Sequence, residues 1–387
     1  MDRLLCTEVP ENIDVFRSKS WEPFTLYKKM TDRGKSEALP VGLLTLDKKS
    51  VREKTSHWIR SNVFVPDARV GWVPGAVRVG MKLIQQQKVD LIFTSSPPHS
   101  SQLIGYFLKK KTGLPWVVDL RDPWTDIRYY EFLNRSIPTR RADAWMEGKV
   151  LKTADRIITV SDALSNAFKE KLRGYDRDKV HVIMNGYDDA DYEAIGKKKS
   201  ACYTILHAGN CLMHQNPEVL WKSLSQMIRE DREFEKELEI HFIGKVHPAI
   251  LETVDHYDLG KHLRAKGFIP HMEIVREIMN ASTLLMVVPD IKRNEGIVTG
   301  KLFEYIGSGN PVLVIGPPSG NAGIIISKFA NSTICDYNDV DKCTAYIRKT
   351  YIEWKNGQLS ESSVSLRKPY SRRIQTKQLV ELFNSVT

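Results

Sequence analysis

Along the chain, short runs of apolar and β-branched residues alternate with stretches whose apolar positions recur every three or four residues. In the first half the runs are VDLIFTS (89–95), PWVVDLR (115–121), DRIITVS (155–161) and VHVIMNG (180–186). In the second half they are YTILHAG (203–209), LEIHFIG (238–244), STLLMVV (282–288) and PVLVIG (311–316), with one more short strand expected just before GFIP (267–270). Runs without polar alternation, separated by helical patterns, predict parallel sheets covered on both faces. The expected class is α/β, with two doubly wound, Rossmann-like domains. The polar, unpatterned stretch 187–202 marks the expected boundary, giving a first domain over 1–190 and a second over 200–365. The closing stretch SRRIQTKQLVELFNSV (371–386) predicts an amphipathic helix with Ile374, Leu379, Val380 and Phe383 near one face.

Composition narrows the class without changing it. A chain of 387 residues suits two domains rather than one core. Its 42% hydrophobic and 27% charged residues are those of a globular protein. No apolar run approaches the roughly 20 residues that span a bilayer, and the opening MDRLLCTEVPEN does not read as a signal peptide, so a cytoplasmic protein is expected. Five cysteines (Cys6, Cys202, Cys211, Cys335, Cys343) form no C-x-x-C pair, which points to free thiols and away from a structural zinc. The formal net charge of +10 raises nucleic acid as a partner, but no helix-turn-helix, RNP or zinc pattern accompanies the basic residues. A solvated basic surface, or attraction to an anionic membrane face or phosphorylated substrates, is the expectation instead.

In open parallel sheets, ligands bind beyond the carboxyl ends of the strands, so the turns there are the places to search. HAGN (207–210) ends a strand in Gly209, where backbone can approach a ligand closely, followed by Asn210. FIGK (242–245) repeats the pattern and delivers Lys245, and GFIP offers extended backbone around Ile269 that can pair with the edge of a base. GIVTGKLFEYIGSGNPVLVIG (296–316) reads as a loop, a helix closed by Gly307 or Gly309, and a buried strand. It is not a nucleotide-hydrolase phosphate loop: only three residues separate Gly296 from Gly300, and Leu302 follows Lys301 where Ser or Thr is needed. A glycine-flanked helix start still offers unpaired N–H groups and a positive dipole end, which suit a pyrophosphate. Glu304 lies one turn in, where a carboxylate can accept from two vicinal ribose hydroxyls or stand as a solvated helix residue. In the first half, TSSPPHSSQ (94–102) presents His99 with Ser95, Ser96 and Ser100, and VVDLRDPW (117–124) places Asp119, Arg121 and Asp122 at the neighbouring strand end. Such charges are costly to bury unless paired or functional, so the cluster is either a site or an Asp–Arg pair fixing a loop.

The segments SSPPHS, GLPWVVDLRDPW, ADRIITVSDAL, VIMNGYD and GKLFEYIGSGNPVLVI, in that order, resemble the bacterial branch of the family 4 (group 1) glycosyltransferases of GT-B fold. The resemblance implies two doubly wound domains, with a final helix returning to the first, and transfer of a sugar from a nucleotide-sugar donor to an acceptor hydroxyl with retention. The implied setting is surface polysaccharide or glycoconjugate synthesis, with a carbohydrate or lipid-linked acceptor and no nucleic acid. It implies no metal and no cofactor, since helix dipole and basic residues meet the charge of the departing diphosphate. On the donor side it assigns Gly296, Val298, Thr299, Gly300 and Lys301 to the diphosphate loop, Glu304 to the ribose and Ile269 to the base. Lys245 falls to the pyrophosphate, with Gly209 and Asn210 lining the cleft opposite. His99, Asp119 and Arg121 fall to the transferred sugar and acceptor. Two departures stand out. Relatives often carry two glutamates eight apart, whereas Glu295 and Glu304 are nine apart with Gly296 at the first position, and Arg121 stands where a histidine is usual. The opening MDRLLCTEVPENIDVFRSKSWEP resembles the segment that follows the family's first strand–Gly-loop–helix unit, and no Gly-Gly pair precedes residue 89, so a first domain lacking that unit is expected. A non-catalytic nucleotide-sugar-binding remnant and a sugar-nucleotide epimerase of the same architecture are the alternatives.

Overall fold

The computed structural model describes residues 10, 12–21, 58, 61–126, 135–198, 200–292 and 294–387. Cys6 and most of the opening stretch, with the expectation attached to it, lie outside the described residues. The chain divides into two compact units, one of Met1–Ile183 with Leu379–Thr387, the other of Met184–Gln378.

In the first unit, helix α1 (Val73–Gln86) precedes strand β1 (Ile92–Ser96), helix α2 (Ser100–Thr112) and strand β2 (Trp116–Leu120). Helix α3 (Ile137–Thr153), strand β3 (Arg156–Thr159), helix α4 (Asp162–Lys171) and strand β4 (Val180–Val182) follow. The four strands pair in parallel in the order β1-β2-β3-β4. Local chemistry sets the boundaries. Ser136 and Ser161 accept from the amides of Thr139 and Leu164 to cap α3 and α4, and Gly113 closes α2 at φ 75°. Successive side chains of β2 point to opposite faces. Trp116, Val118 and Leu120 pack with Val73, Leu103, Leu108 and Val150 of the helices, while Val117 packs with Ile158 and Ile183 on the other face. That second face is covered by Leu379, Leu382, Phe383 and Val386 at the end of the chain.

The second unit begins with helix α5 (Asp189–Glu193) inside the stretch expected to be unpatterned, and continues with strand β5 (Tyr203–Ala208). Helices α6 (Glu218–Glu230) and α7 (Arg232–Glu237) lead to strand β6 (Leu238–Ile243), helix α8 (Pro248–His256) and strand β7 (Leu263–Lys266). Helix α9 (His271–Asn280), strand β8 (Thr283–Val287), helix α10 (Gly300–Ser308) and strand β9 (Val312–Ile315) come next. Helix α11 (Asn321–Ile326), strand β10 (Thr333–Cys335), helices α12 (Val340–Lys355) and α13 (Val364–Arg367), and α14 (Arg372–Asn384) complete the chain. The six parallel strands lie in the order β10-β9-β8-β5-β6-β7, so the sheet grows outward in both directions from the β5–β8 pair. That pair is the topological switch point, where helices depart to opposite faces and leave a crevice at the strand ends. Two apolar clusters lie on the two sides of this sheet, one with Leu224, Phe242 and Ile347, the other with Leu206, Met286, Phe303 and Ile326.

Two sequence expectations change in detail. On α14, Val380 is exposed, and Leu382 and Val386 join Leu379 and Phe383 on the buried side. Gly309, not Gly307, closes α10, in the left-handed region at φ 75°. Gly307 is small for another reason: a Cβ there would lie 2.6 Å from the ring of Tyr187.

Candidate functional site

The crevice side of β5 and β6 is built by two glycines. Gly209 has φ 104° and Gly244 φ 124°, a region L side chains rarely adopt. Gly244 is also spatially required, because a Cβ there would sit 2.7 Å from the Gly209 carbonyl carbon, while one on Gly209 would sit 2.5 Å from Lys301 Cε and push that side chain aside. The Gly209 amide donates to the Ile243 carbonyl at 2.6 Å, and pairing resumes beyond the glycines through a Cys211–Val246 bridge. Asn210 turns its side-chain oxygen to accept from the Lys245 amide at 3.2 Å, which leaves the exposed Lys245 at the rim.

Helix α10 starts at this place. Thr299 precedes it in extended conformation without a side-chain cap, and its Oγ1 is buried with no hydrogen-bond partner. A start left open in this way directs amides and the positive dipole end outward. The helix is held by two tyrosines. Tyr305 accepts from the Ala208 amide at 2.8 Å, tying α10 to the end of β5, and Tyr192 donates to the Glu304 carbonyl at 2.8 Å. The Glu304 carboxylate, half-buried one turn in, makes no hydrogen bond or ion pair to another described residue. Ile269, Ile297 and Val298 pack at the edge of the cluster beneath α10, so the loops carrying the expected base and diphosphate contacts share one apolar footing. Gly296 is exposed in that loop.

The contacts of Lys301 are not visible in the sequence. Its Nζ donates to the Asn210 carbonyl at 3.0 Å and to His207 Nε2 at 3.1 Å. His207, at the end of β5, is buried and stacks on Phe242 with ring centroids 5.2 Å apart. Its Nδ1 lies 3.0 Å from the Leu285 carbonyl, so Nδ1 carries the proton and Nε2 accepts from the ammonium. Burial, with Lys301 beside it, pushes the imidazole down to about 3, so it stays neutral. Burial also pulls the Lys301 ammonium below its ordinary value, against the opposing pull of Cys211 and Glu304. The sequence reading placed Lys301 in the loop but missed His207, which in ILHAG looks like one more strand residue. The available signal was a titratable side chain two positions before a turn glycine on an otherwise apolar strand.

In the first unit the expected residues fall into two groups. Asp119 is buried, and its Oδ2 accepts from Ser95 Oγ at 2.8 Å and Arg121 Nε at 2.9 Å, while Oδ1 has no partner. The Asp–Arg pair is therefore present, with one carboxylate oxygen free. His99 is buried against Trp124, centroids 4.9 Å apart, and neither ring nitrogen has a hydrogen-bond partner. Burial lowers its pKa to about 4, with Asp67 opposing and Arg135 reinforcing the shift. Trp124 is fixed in turn by donation from Nε1 to Asp143 at 2.7 Å, and Asp143 pairs with Arg135. One turn along α3, buried Glu147 accepts from Lys171 Nζ and from Thr125. These buried acids were not visible in the sequence pattern. Among the described residues no group of three or more His, Cys, Asp or Glu side chains is placed to hold a metal ion. The four described cysteines are free thiols. Among the described residues, no helix is long and apolar enough to cross a membrane.

Comparison with known proteins bears on the fold. Residues 37–191 match the sequence model of Glycosyltransferase Family 4. No curated protein sequence matches the chain significantly. Solved structures similar in fold include a sucrose-phosphate synthase from Thermosynechococcus elongatus, at a TM-score of 0.57 and 13% identity, covering 82% of this chain and 78% of that one. Another is HepE of Anabaena in complex with UDP-glucose, at 0.56 and 14%, covering 81% of this chain and 82% of that one. A third is a UDP-forming α,α-trehalose-phosphate synthase from Burkholderia vietnamiensis, at 0.57 and 11%, covering 84% and 79%. At these identities the likeness establishes the fold. The family match spans residues 37–191, under half of the chain, and the likeness to the solved structures extends over most of its length, so the chain has the two-domain GT-B fold.

Proposed function

We propose that the chain transfers a sugar from a nucleotide-sugar donor to an acceptor hydroxyl with retention at the anomeric carbon, in the cytoplasm, in bacterial surface polysaccharide or glycoconjugate synthesis. One observation carries the reading. At the switch point of the second sheet, an uncapped helix start, a paired-glycine floor and a half-buried carboxylate that no other described residue hydrogen-bonds converge within one unit. The amides at the start of α10 and the Lys301 ammonium suit the diphosphate, with Lys245 at the rim, and Glu304 suits the ribose hydroxyls. Charge that develops on the departing diphosphate is met by fixed dipoles and ammonium groups, and no metal is called for. UDP is the expected carrier, as in the complex of the similar Anabaena protein with UDP-glucose. His99, Asp119 and Arg121 are assigned to the sugar and to a carbohydrate or lipid-linked acceptor. The test is calorimetry of the full chain with UDP, GDP and ADP, followed by anomeric analysis of the product by NMR. Binding of UDP, and a product that keeps the donor's anomeric configuration, are expected. No binding of any nucleotide overturns the donor site, and an inverted product overturns retention.

A further inference from the structure

The helical layer on one face of the first unit has an unusual charge pattern. α1 packs on α2 and α2 on α3, and all three bury their apolar sides against the same face of the sheet. None of the three exposes a carboxylate. α1 and α2 contain no acid, and the two acids of α3, Asp143 and Glu147, are buried and neutralised by Arg135 and Lys171. The outward charges of these helices are all cationic, and of these cations only Lys109 is in an ion pair among the described residues, with Asp155 at 2.8 Å. Between the cations stand large apolar side chains in the open: Trp145 is 62% exposed, Ile137 67% and Phe107 41%.

The spacing makes one surface of this. Ile137, Arg141, Trp145 and Lys149 recur every four residues and so share one stripe of α3. Lys149 Nζ lies 5.6 Å from the Trp145 ring centroid. Further along, α1 and α2 enclose an open groove of about 790 Å³ with an apolar floor of Val73, Val77 and Met81 and a rim of Arg78, Lys82 and Lys111. Exposed tryptophan beside Lys and Arg is the composition of side chains that settle at the boundary between headgroups and hydrocarbon. A bilayer offers negative charge without a fixed pattern of partners. That suits three helices that present many cations, a few apolar side chains and no exposed acid.

We infer that the outer face of α1, α2 and α3 is a docking surface for an anionic lipid bilayer. The inference does not depend on the transfer reading, because it uses no residue of the donor site. The test is co-sedimentation of the full chain with vesicles of phosphatidylcholine alone and with phosphatidylglycerol added. Binding to the anionic vesicles, weak binding to the neutral ones, and release at high salt are expected. Each cation near an anionic leaflet contributes about 1 kcal/mol, or about fivefold in partition. The double substitution Arg141→Gln with Lys149→Gln is thus expected to weaken partition about 25-fold. Trp145→Ala is expected to weaken it further, with melting temperature and UDP binding unchanged. A control double substitution in the second unit, Lys222→Gln with Lys236→Gln, is expected to leave partition unchanged. Equal binding to neutral and anionic vesicles, no binding to either, or equal loss in the control overturns the inference.

Discussion

The contact between Lys301 and buried His207 makes a pH-dependent prediction with a definite sign. In the unfolded chain His207 titrates at its ordinary value near 6.5, whereas in the folded protein it is held down to about 3. Between those values the unfolded state binds a proton that the folded state refuses, so stability falls as pH falls. From pH 7 to pH 5 the linkage amounts to about 2 kcal/mol, or about 4–8 °C in the melting temperature of a unit of this size. His207→Gln removes the titration and keeps an atom that can accept from Lys301. The variant is expected to be less stable than wild type at pH 7, and that difference should shrink by about 2 kcal/mol at pH 5. Urea unfolding of both proteins at the two pH values measures it. His262, also lowered by burial, is common to both proteins and cancels in the comparison. The first unit is a poorer place for the test, because Glu147 and Asp122 are raised by burial and gain stability as pH falls, against His99. An identical loss of stability in wild type and variant between pH 7 and 5 would refute the assignment of a neutral, buried His207.

Three further outcomes are expected. Glu304→Ala should weaken nucleotide binding, measured by calorimetry, by about 1.5–3 kcal/mol with little change in melting, since its carboxylate makes no hydrogen bond or ion pair to another described residue. Gly209→Ala should both destabilise the second unit by about 1–3 kcal/mol and weaken nucleotide binding, because the residue is at φ 104° and the added carbon displaces Lys301. Lys171→Met leaves buried Glu147 without its cation and should cost about 3–5 kcal/mol in urea unfolding, and Lys171→Met with Glu147→Gln should recover much of that loss.

The sheets were legible because their central strands β2, β5, β8 and β9 are buried on both faces and therefore read as unbroken apolar runs. β10 was not anticipated: TIC is three residues long, set among Asn, Ser, Thr and Asp that read as turn. β7 was placed from its neighbours, since LRAK is largely exposed and carries no apolar signal of its own. The donor-side candidates follow from the rule that ligands lie beyond strand ends, which is why Gly209, Asn210, Lys245 and the start of α10 stood out. What holds them was hidden, because Tyr305, Tyr192 and His207 act across many positions of sequence. The same limit applies to α3, where Asp143 and Glu147 occupy inward positions that a hydrophobic pattern assigns to apolar residues. Their partners Arg135 and Lys171 could be identified only once the elements were packed.

Leu379 to Val386 cover Val117, Ile158 and Ile183 in the first unit, yet they are made only after the whole of the second unit. On a ribosome the first sheet therefore emerges with one apolar face bare. At about 5–20 residues per second the wait lasts on the order of tens of seconds. During that interval the nascent first unit is a natural client for chaperones that recognise exposed aliphatic surface. A chain released before Leu379 would keep that face open, leaving the first unit prone to clearance by proteases even where the second unit is fully formed.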